Sequence, residues 1–177
     1  MPFAISLVCD DTSGDPVRAL WDAAGRFEAT PSMVALGYPP HLTLAVYETI
    51  EPEALTAVVD AIGAAETAHT LGFDGIRRFD GPATVLWAAP VVSPDLRRLH
   101  DAVHRALDPA DCHPHYRPGA WVPHCTVALA VPAGNRAAAL AWAEATPARF
   151  TVTFGLLSAV RFHPVAPIRE RSLTPAS

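Results

Sequence analysis

Two short segments, Pro40-His41-Leu42-Thr43-Leu44 and Pro123-His124-Cys125-Thr126-Val127, repeat one pattern at a separation of 83 positions. The register persists beyond the pentapeptide. Shifted against itself by 83 without a gap, the chain also pairs Ala45 with Ala128, Thr70 with Thr153, Gly72 with Gly155, Arg78 with Arg161 and Phe79 with Phe162. Between Pro40 and Ala83 there are eleven identities, four of them alanine pairs that carry little weight in an alanine-rich chain. The other seven mark a duplicated unit of about half the chain. Whatever one half folds into, the other must fold into as well. The expected organisation is two similar lobes about a pseudo-two-fold axis, with approximate repeats 1–82 and 83–165 and a C-terminal tail over 166–177.

The order of elements agrees, because strand-like and helix-like stretches alternate in both halves. In the first half, Phe3 to Cys9 reads as a strand, Asp15 to Phe27 as a helix, His41 to Tyr47 as the motif strand, Pro52 to Ala65 as a helix and Leu71 to Phe79 as a strand. In the second, Ala83 to Ala89 reads as a strand and Pro94 to Leu107 as a helix opened by Ser-Pro-Asp. A loop rich in Pro and His runs from Asp108 to Pro123. Then come the motif strand His124 to Val131, a helix over Asn135 to Ala145 and a strand over Phe150 to Phe162. This alternation places the chain in the α/β or α+β classes.

Composition narrows the function. Half of the 177 residues are apolar, enough to bury a sizeable core. The net charge of -5 and the lack of a basic run argue against a grip on duplex DNA, so any nucleic acid ligand is short or held by one end. No stretch is long enough to span a bilayer, and the start lacks the basic lead and cleavage site of a signal peptide. Three cysteines, Cys9, Cys112 and Cys125, suit reduced thiols better than a disulfide framework. The expected location is the cytoplasm.

On a strand, alternate side chains share a face, so His41 and Thr43 point one way while Leu42 and Leu44 point the other. The same holds for His124 and Thr126 against Cys125 and Val127. If the apolar partners pack under the helices, a pseudo-two-fold axis brings both His/Thr pairs to one cleft. The motif strands are expected near the middle of their sheets. Two facing imidazoles make an acid and base couple near neutrality, and two hydroxyls beside them donate hydrogen bonds to a charged oxygen. This set suits in-line displacement at phosphorus without a metal or other cofactor.

The two motifs resemble the paired His-x-Thr/Ser-hydrophobic motifs of the 2H phosphoesterase superfamily, which includes bacterial 2'-5' RNA ligases and cyclic nucleotide phosphodiesterases. The resemblance covers most of the chain. It implies an α+β, bilobal, duplicated fold with two antiparallel sheets and flanking helices around a central cleft. It assigns catalysis to His41, Thr43, His124 and Thr126, and implies metal-independent action on 2',3'-cyclic phosphates of nucleotides or RNA ends. Ligation through a 2'-5' linkage, or non-catalytic binding of RNA ends, remains open. A monomer is expected.

Other residues compete for a role. Cys112, His113, His115, His124 and Cys125 are all capable zinc ligands, but they lack the Cys-x-x-Cys and His-Glu-x-x-His spacings. Tyr116 is a candidate for stacking a base and Arg117 for gripping phosphate, with Phe79 a further stacking candidate. Arg78 and Arg161 recur in register and are candidates for positive charge at the cleft. Trp121 stands between the roles of stacking platform and core residue. His69, His100, His104 and His163 have no recognisable partner spacing.

Overall fold

The structure is a computed structural model that describes residues 1–9 and 11–175. Among the described residues there are seven strands, β1 (Phe3–Cys9), β2 (His41–Tyr47), β3 (His69–Phe79), β4 (Thr84–Pro90), β5 (Cys125–Val131), β6 (Arg149–Arg161) and β7 (Ala166–Ser172). Five α-helices lie between them: α1 (Asp15–Ala24), α2 (Ser32–Leu36), α3 (Pro52–Ala65), α4 (Pro94–Ala106) and α5 (Arg136–Ala145). The α+β class is as expected, and element boundaries fall within a few residues of those read from the sequence. Two elements were not foreseen. The five-residue α2 is too short to show a period, and β7 occupies the segment taken for a tail.

Local chemistry accounts for the helices. The Ser93 side chain accepts from the Leu96 amide at 3.1 Å and so caps α4, with Pro94 in the first turn where its missing N–H costs nothing. Leu96, Leu99, His100, Val103 and His104 then form the buried stripe of α4. In α3, Leu55, Val58 and Val59 do the same. The glycine in that helix permits a close approach, since a Cβ at Gly63 would stand 2.9 Å from the Arg171 side chain on β7. These helices cover one face of the sheet and share one large core with Leu42, Leu44, Cys125 and Val127.

The strands form one antiparallel path in the order β2-β1-β6-β3-β4-β5, with β7 added alongside β6. The two expected antiparallel blocks are thus joined through β3 and β6. At the join Thr70 faces Thr153, and their hydroxyls are hydrogen-bonded at 2.9 Å. These are equivalent residues of the two repeats, so the local two-fold axis passes between them. Beyond the axis each long strand crosses over. The end of β6 pairs with β1 and β7, and the end of β3 pairs with β4. Each side of the sheet therefore mixes strands from both repeats. Past β7, Leu173 is buried, and the Ala68 and Thr174 amides donate to Thr174 and Glu66 carbonyls. The remainder of the expected tail, 176–177, lies outside the described residues.

The motif strands are not central: β2 and β5 are the two ends of the path, and the curved sheet brings them back into contact with each other. An end strand carries unpaired backbone groups that must be satisfied or shielded. Here each is satisfied by the opposite repeat. The Trp121 indole N–H donates to the Thr43 carbonyl at 3.0 Å, and the His113 amide donates to the Val46 carbonyl at 2.7 Å. On β5, the Trp21 indole donates to the Thr126 carbonyl at 2.8 Å. The Leu129 and Ala130 amides donate to Ser32 Oγ at 3.0 Å and Glu28 Oε1 at 2.7 Å.

Trp21→Phe and Trp121→Phe each strand a carbonyl while keeping most of the ring volume. Each is expected to lower unfolding stability by about 1–2 kcal/mol, read as a lower urea midpoint at constant slope. An unchanged midpoint in both variants would mean that the indoles do not hold the edges.

Candidate active site

The prolines of the motif have a local purpose. A residue that precedes proline is held extended, so Pro40 restrains Pro39 and Pro123 restrains Val122. The carbonyls of those two residues receive the imidazoles that follow. His41 Nδ1 lies 2.8 Å from the Pro39 oxygen, and His124 Nδ1 lies 2.7 Å from the Val122 oxygen. A carbonyl only accepts, so Nδ1 carries the hydrogen in both rings. In the neutral form Nε2 is then the free base, at the end of the ring away from the backbone.

Both histidines line one cavity of about 710 Å³ together with Thr43 and Thr126. Alternation along the strands works as expected, because Leu42, Leu44, Cys125 and Val127 are buried on the other face. Ser6 Oγ donates to Thr43 Oγ1 at 3.3 Å, which leaves the Thr43 proton available to a ligand. The rings are set among aromatics. Tyr38 meets His41 edge-on at 4.9 Å between centroids, and Phe79 meets His124 edge-on at 5.1 Å. Phe79 in turn stacks on Trp87 at 4.9 Å, and Tyr116 is tilted against His124 at 6.4 Å.

These surroundings act on charge. Burial holds the His41 pKa below the ordinary 6.5, against the Pro39 hydrogen bond, and the charge of His124 adds to the depression. Burial lowers His124 in the same way, opposed by its bond to Val122. At neutral pH both rings are therefore neutral.

The remaining candidates divide. Tyr116 and Phe79 line the cavity, as does Arg78, whose Nε lies 3.1 Å from Asp80 Oδ1. Arg117 does not. Its guanidinium donates to the carbonyls of Cys112 and Ala110, each at 2.8 Å, and so ties the loop to itself instead of gripping phosphate. Arg161 and Trp121 are likewise outside the lining. Trp121 stacks flat on His100 at 4.0 Å while its indole holds Thr43. The zinc candidates do not converge: among the described residues no group of three or more His, Cys, Asp or Glu is arranged to hold a metal ion. Cys125 faces the core, where burial pushes its thiol up to about 12.

Several lining residues escaped the sequence reading. Phe162 was visible as the repeat partner of Phe79, and His163 follows it. Tyr38 and Ser6 carried no signal, since each reaches the cavity only through strand pairing and the turn before β2.

With this geometry established, likeness to other proteins is informative. Residues 13–157 match the family model of the 2'-5' RNA ligase superfamily. The chain belongs to that superfamily, the group of 2H phosphoesterases and RNA ligases. Solved structures share the fold at low sequence identity. One described as a phosphoesterase is 16% identical with a TM-score of 0.64, over 98% of both chains. LigT of E. coli, in complex with 3'-AMP, is 16% identical with a TM-score of 0.63, over 98% of both chains. Usb1 of Kluyveromyces marxianus, with uridine monophosphate, is 12% identical with a TM-score of 0.51, over 94% of this chain and 96% of that one. Among curated proteins none matches the chain in sequence. No helix among the described residues is long and apolar enough to cross a membrane.

Acid stability follows from the buried imidazoles. His41, His100, His104 and His124 all have pKa values lowered chiefly by burial. Below the ordinary 6.5 the unfolded chain therefore binds more protons than the folded one. Stability is expected to fall as pH drops through that value, and to level off below the folded-state values. Urea midpoints at about pH 7.5 and 5.5 test this, with a smaller loss expected in His104→Leu; equal midpoints would contradict it.

Proposed function

We propose that this protein is a cyclic phosphodiesterase that opens the 2',3'-cyclic phosphate of a nucleotide or RNA end by two-histidine acid and base catalysis. The observation that carries this reading is the matched pair of imidazoles, each fixed through Nδ1 to a carbonyl, lining one cavity beside a threonine hydroxyl. One Nε2 takes a proton from water as the oxygen attacks phosphorus. The other imidazole, protonated, delivers its proton to the departing ribose oxygen as the P–O bond breaks. Thr43 and Thr126 donate to the non-bridging oxygens, whose charge grows in the transition state. The product is a 2'- or 3'-phosphate monoester on the same nucleotide or RNA end. Water is consumed, and the two histidines end with their protonation states exchanged.

The nucleotides named with structural relatives support the substrate class, since LigT is described in complex with 3'-AMP and Usb1 with uridine monophosphate. The same couple run backwards, with a ribose hydroxyl in place of water, would join RNA ends through a 2'-5' linkage. A module that only binds RNA ends would not need two imidazoles with matched tautomers. In this reading the protein works as a cytoplasmic monomer and needs no metal.

A panel of cyclic phosphates with product positions assigned tests the proposal. His41→Ala and His124→Ala are each expected to cost about 10²- to 10⁴-fold in turnover with the fold retained, and less in combination than the product of the two losses. Thr43→Val and Thr126→Val should do milder damage. Activity should survive exhaustive chelation. Wild-type rates in both histidine variants would overturn the assignment, and loss on chelation with recovery on zinc would favour a metal enzyme.

The pH profiles provide a separate check. The free enzyme needs one neutral and one protonated imidazole, and both pKa values lie below 6.5. The kcat/KM profile should therefore peak on the acid side of that value. A bound anionic phosphodiester stabilises the imidazolium, so the kcat profile should be displaced to higher pH. Coincident profiles centred above neutrality would contradict the buried couple.

A further inference from the structure

The cavity is nearly empty of fixed charge. Its lining holds one guanidinium, Arg78, and that side chain is paired with Asp80 at 3.1 Å. The chain contains no lysine, so all thirteen basic residues are arginines. Five of the others are engaged by partners outside the lining. Arg117 holds loop carbonyls, Arg136 is bonded to Thr84, Arg98 is paired with Asp95, and Arg169 and Arg171 are paired with Asp60. A net charge of -5 surrounds the whole.

One wall shows what the cavity is suited to hold. On the His41 side, Ala4, Val46, Val160, Phe162 and Val165 line it, together with the ring of Tyr38. These residues belong to a small apolar cluster on the cleft face of the sheet, separate from the main core under the helices. Among the described residues this wall carries no Asp, Glu or Arg, and His163 packs edge-on against Phe162 at 5.1 Å. A nucleobase is flat and uncharged, and it gains from such a surface. A polyanionic strand does not: each further phosphate drawn along this cavity would lose its counterions and meet, among the described lining residues, one guanidinium already paired with Asp80. The volume of about 710 Å³ lies within the range of small-ligand sites.

We propose that the site takes a single mononucleoside 2',3'-cyclic phosphate, with its base on the Tyr38, Val160, Phe162 and Val165 wall, and makes no use of an RNA chain behind the terminal nucleotide. This rests on the phosphoesterase reading above and narrows it to one substrate class. The cavity recognises one phosphate and one uncharged ring, and a longer ligand adds charge that the described lining does not answer.

The test compares a mononucleoside 2',3'-cyclic phosphate with an RNA of about ten nucleotides ending in the same nucleoside and cyclic phosphate, at about 50 and 200 mM salt. The expected result is a kcat/KM for the mononucleotide at least equal to that of the RNA, with the RNA rate changing less than about threefold between the salts. A preference for RNA of about tenfold or more, lost steeply with salt, would overturn the inference and leave the phosphoesterase reading intact. Hydrolysis of neither substrate would instead sink the phosphoesterase reading, and this inference with it. The wall is tested by Val165→Glu against Val165→Ala. The acidic variant should raise KM for the mononucleotide about tenfold or more, with a smaller change in kcat, and an equal KM in the two variants would remove the base from that wall.

Discussion

The two ends of the sheet are held by indoles that come from opposite repeats. Trp121 reaches back to the carbonyl of Thr43, and Trp21 reaches forward to the carbonyl of Thr126. Everything at the cavity depends on this exchange. An end strand left to itself frays or recruits another strand, and the histidines stand at the starts of β2 and β5. By placing the donor for one motif strand in the other repeat, the fold ties the position of each catalytic candidate to the opposite half of the chain. The join at Thr70 and Thr153 does the same at the centre. The sheet therefore curves as one body, and its ends meet with both His/Thr pairs toward a common space.

The duplication made much of this legible. Register at 83 positions located both motifs, and side-chain alternation correctly separated Leu42, Leu44, Cys125 and Val127 from the open face. What periodicity cannot report is which strand lies beside which. That is why β2 and β5 were expected in the interior of their sheets and are found at its ends, and why the crossing of β3 and β6 between the two sides was not foreseen. The strand β7 was missed for a related reason. Ala166–Ser172 carries a proline and three charged residues, so its pairing with β6 comes from tertiary context and not from an apolar alternation. Arg117 shows the limit of reading charge from sequence. Proximity to the second motif made it a phosphate ligand on paper, whereas the loop's own carbonyls claim it.

The electrostatics of the site belong to the same economy of charge. With so little fixed positive potential, the cavity leaves proton placement to two imidazoles whose environment favours the neutral form. An anionic ligand changes that balance on arrival, because it supplies the charge that makes an imidazolium tolerable among Tyr38, Phe79 and Tyr116. In the proposed reaction, substrate binding and loading of the general acid would be one event. The motif proline contributes as well, since by restraining the residue before it, it presents the carbonyl that decides which ring nitrogen faces the ligand.

The central claim is that His41 and His124 act together on one phosphorus atom. A crystal structure with a nucleoside and orthovanadate, which imitates the five-coordinate transition state, tests it most directly. The account predicts vanadium between the two rings, with apical oxygens about 2.6–3.2 Å from Nε2 of each histidine and the threonine hydroxyls on equatorial oxygens. Vanadate bound to one ring alone, or outside the shared cavity, would contradict it.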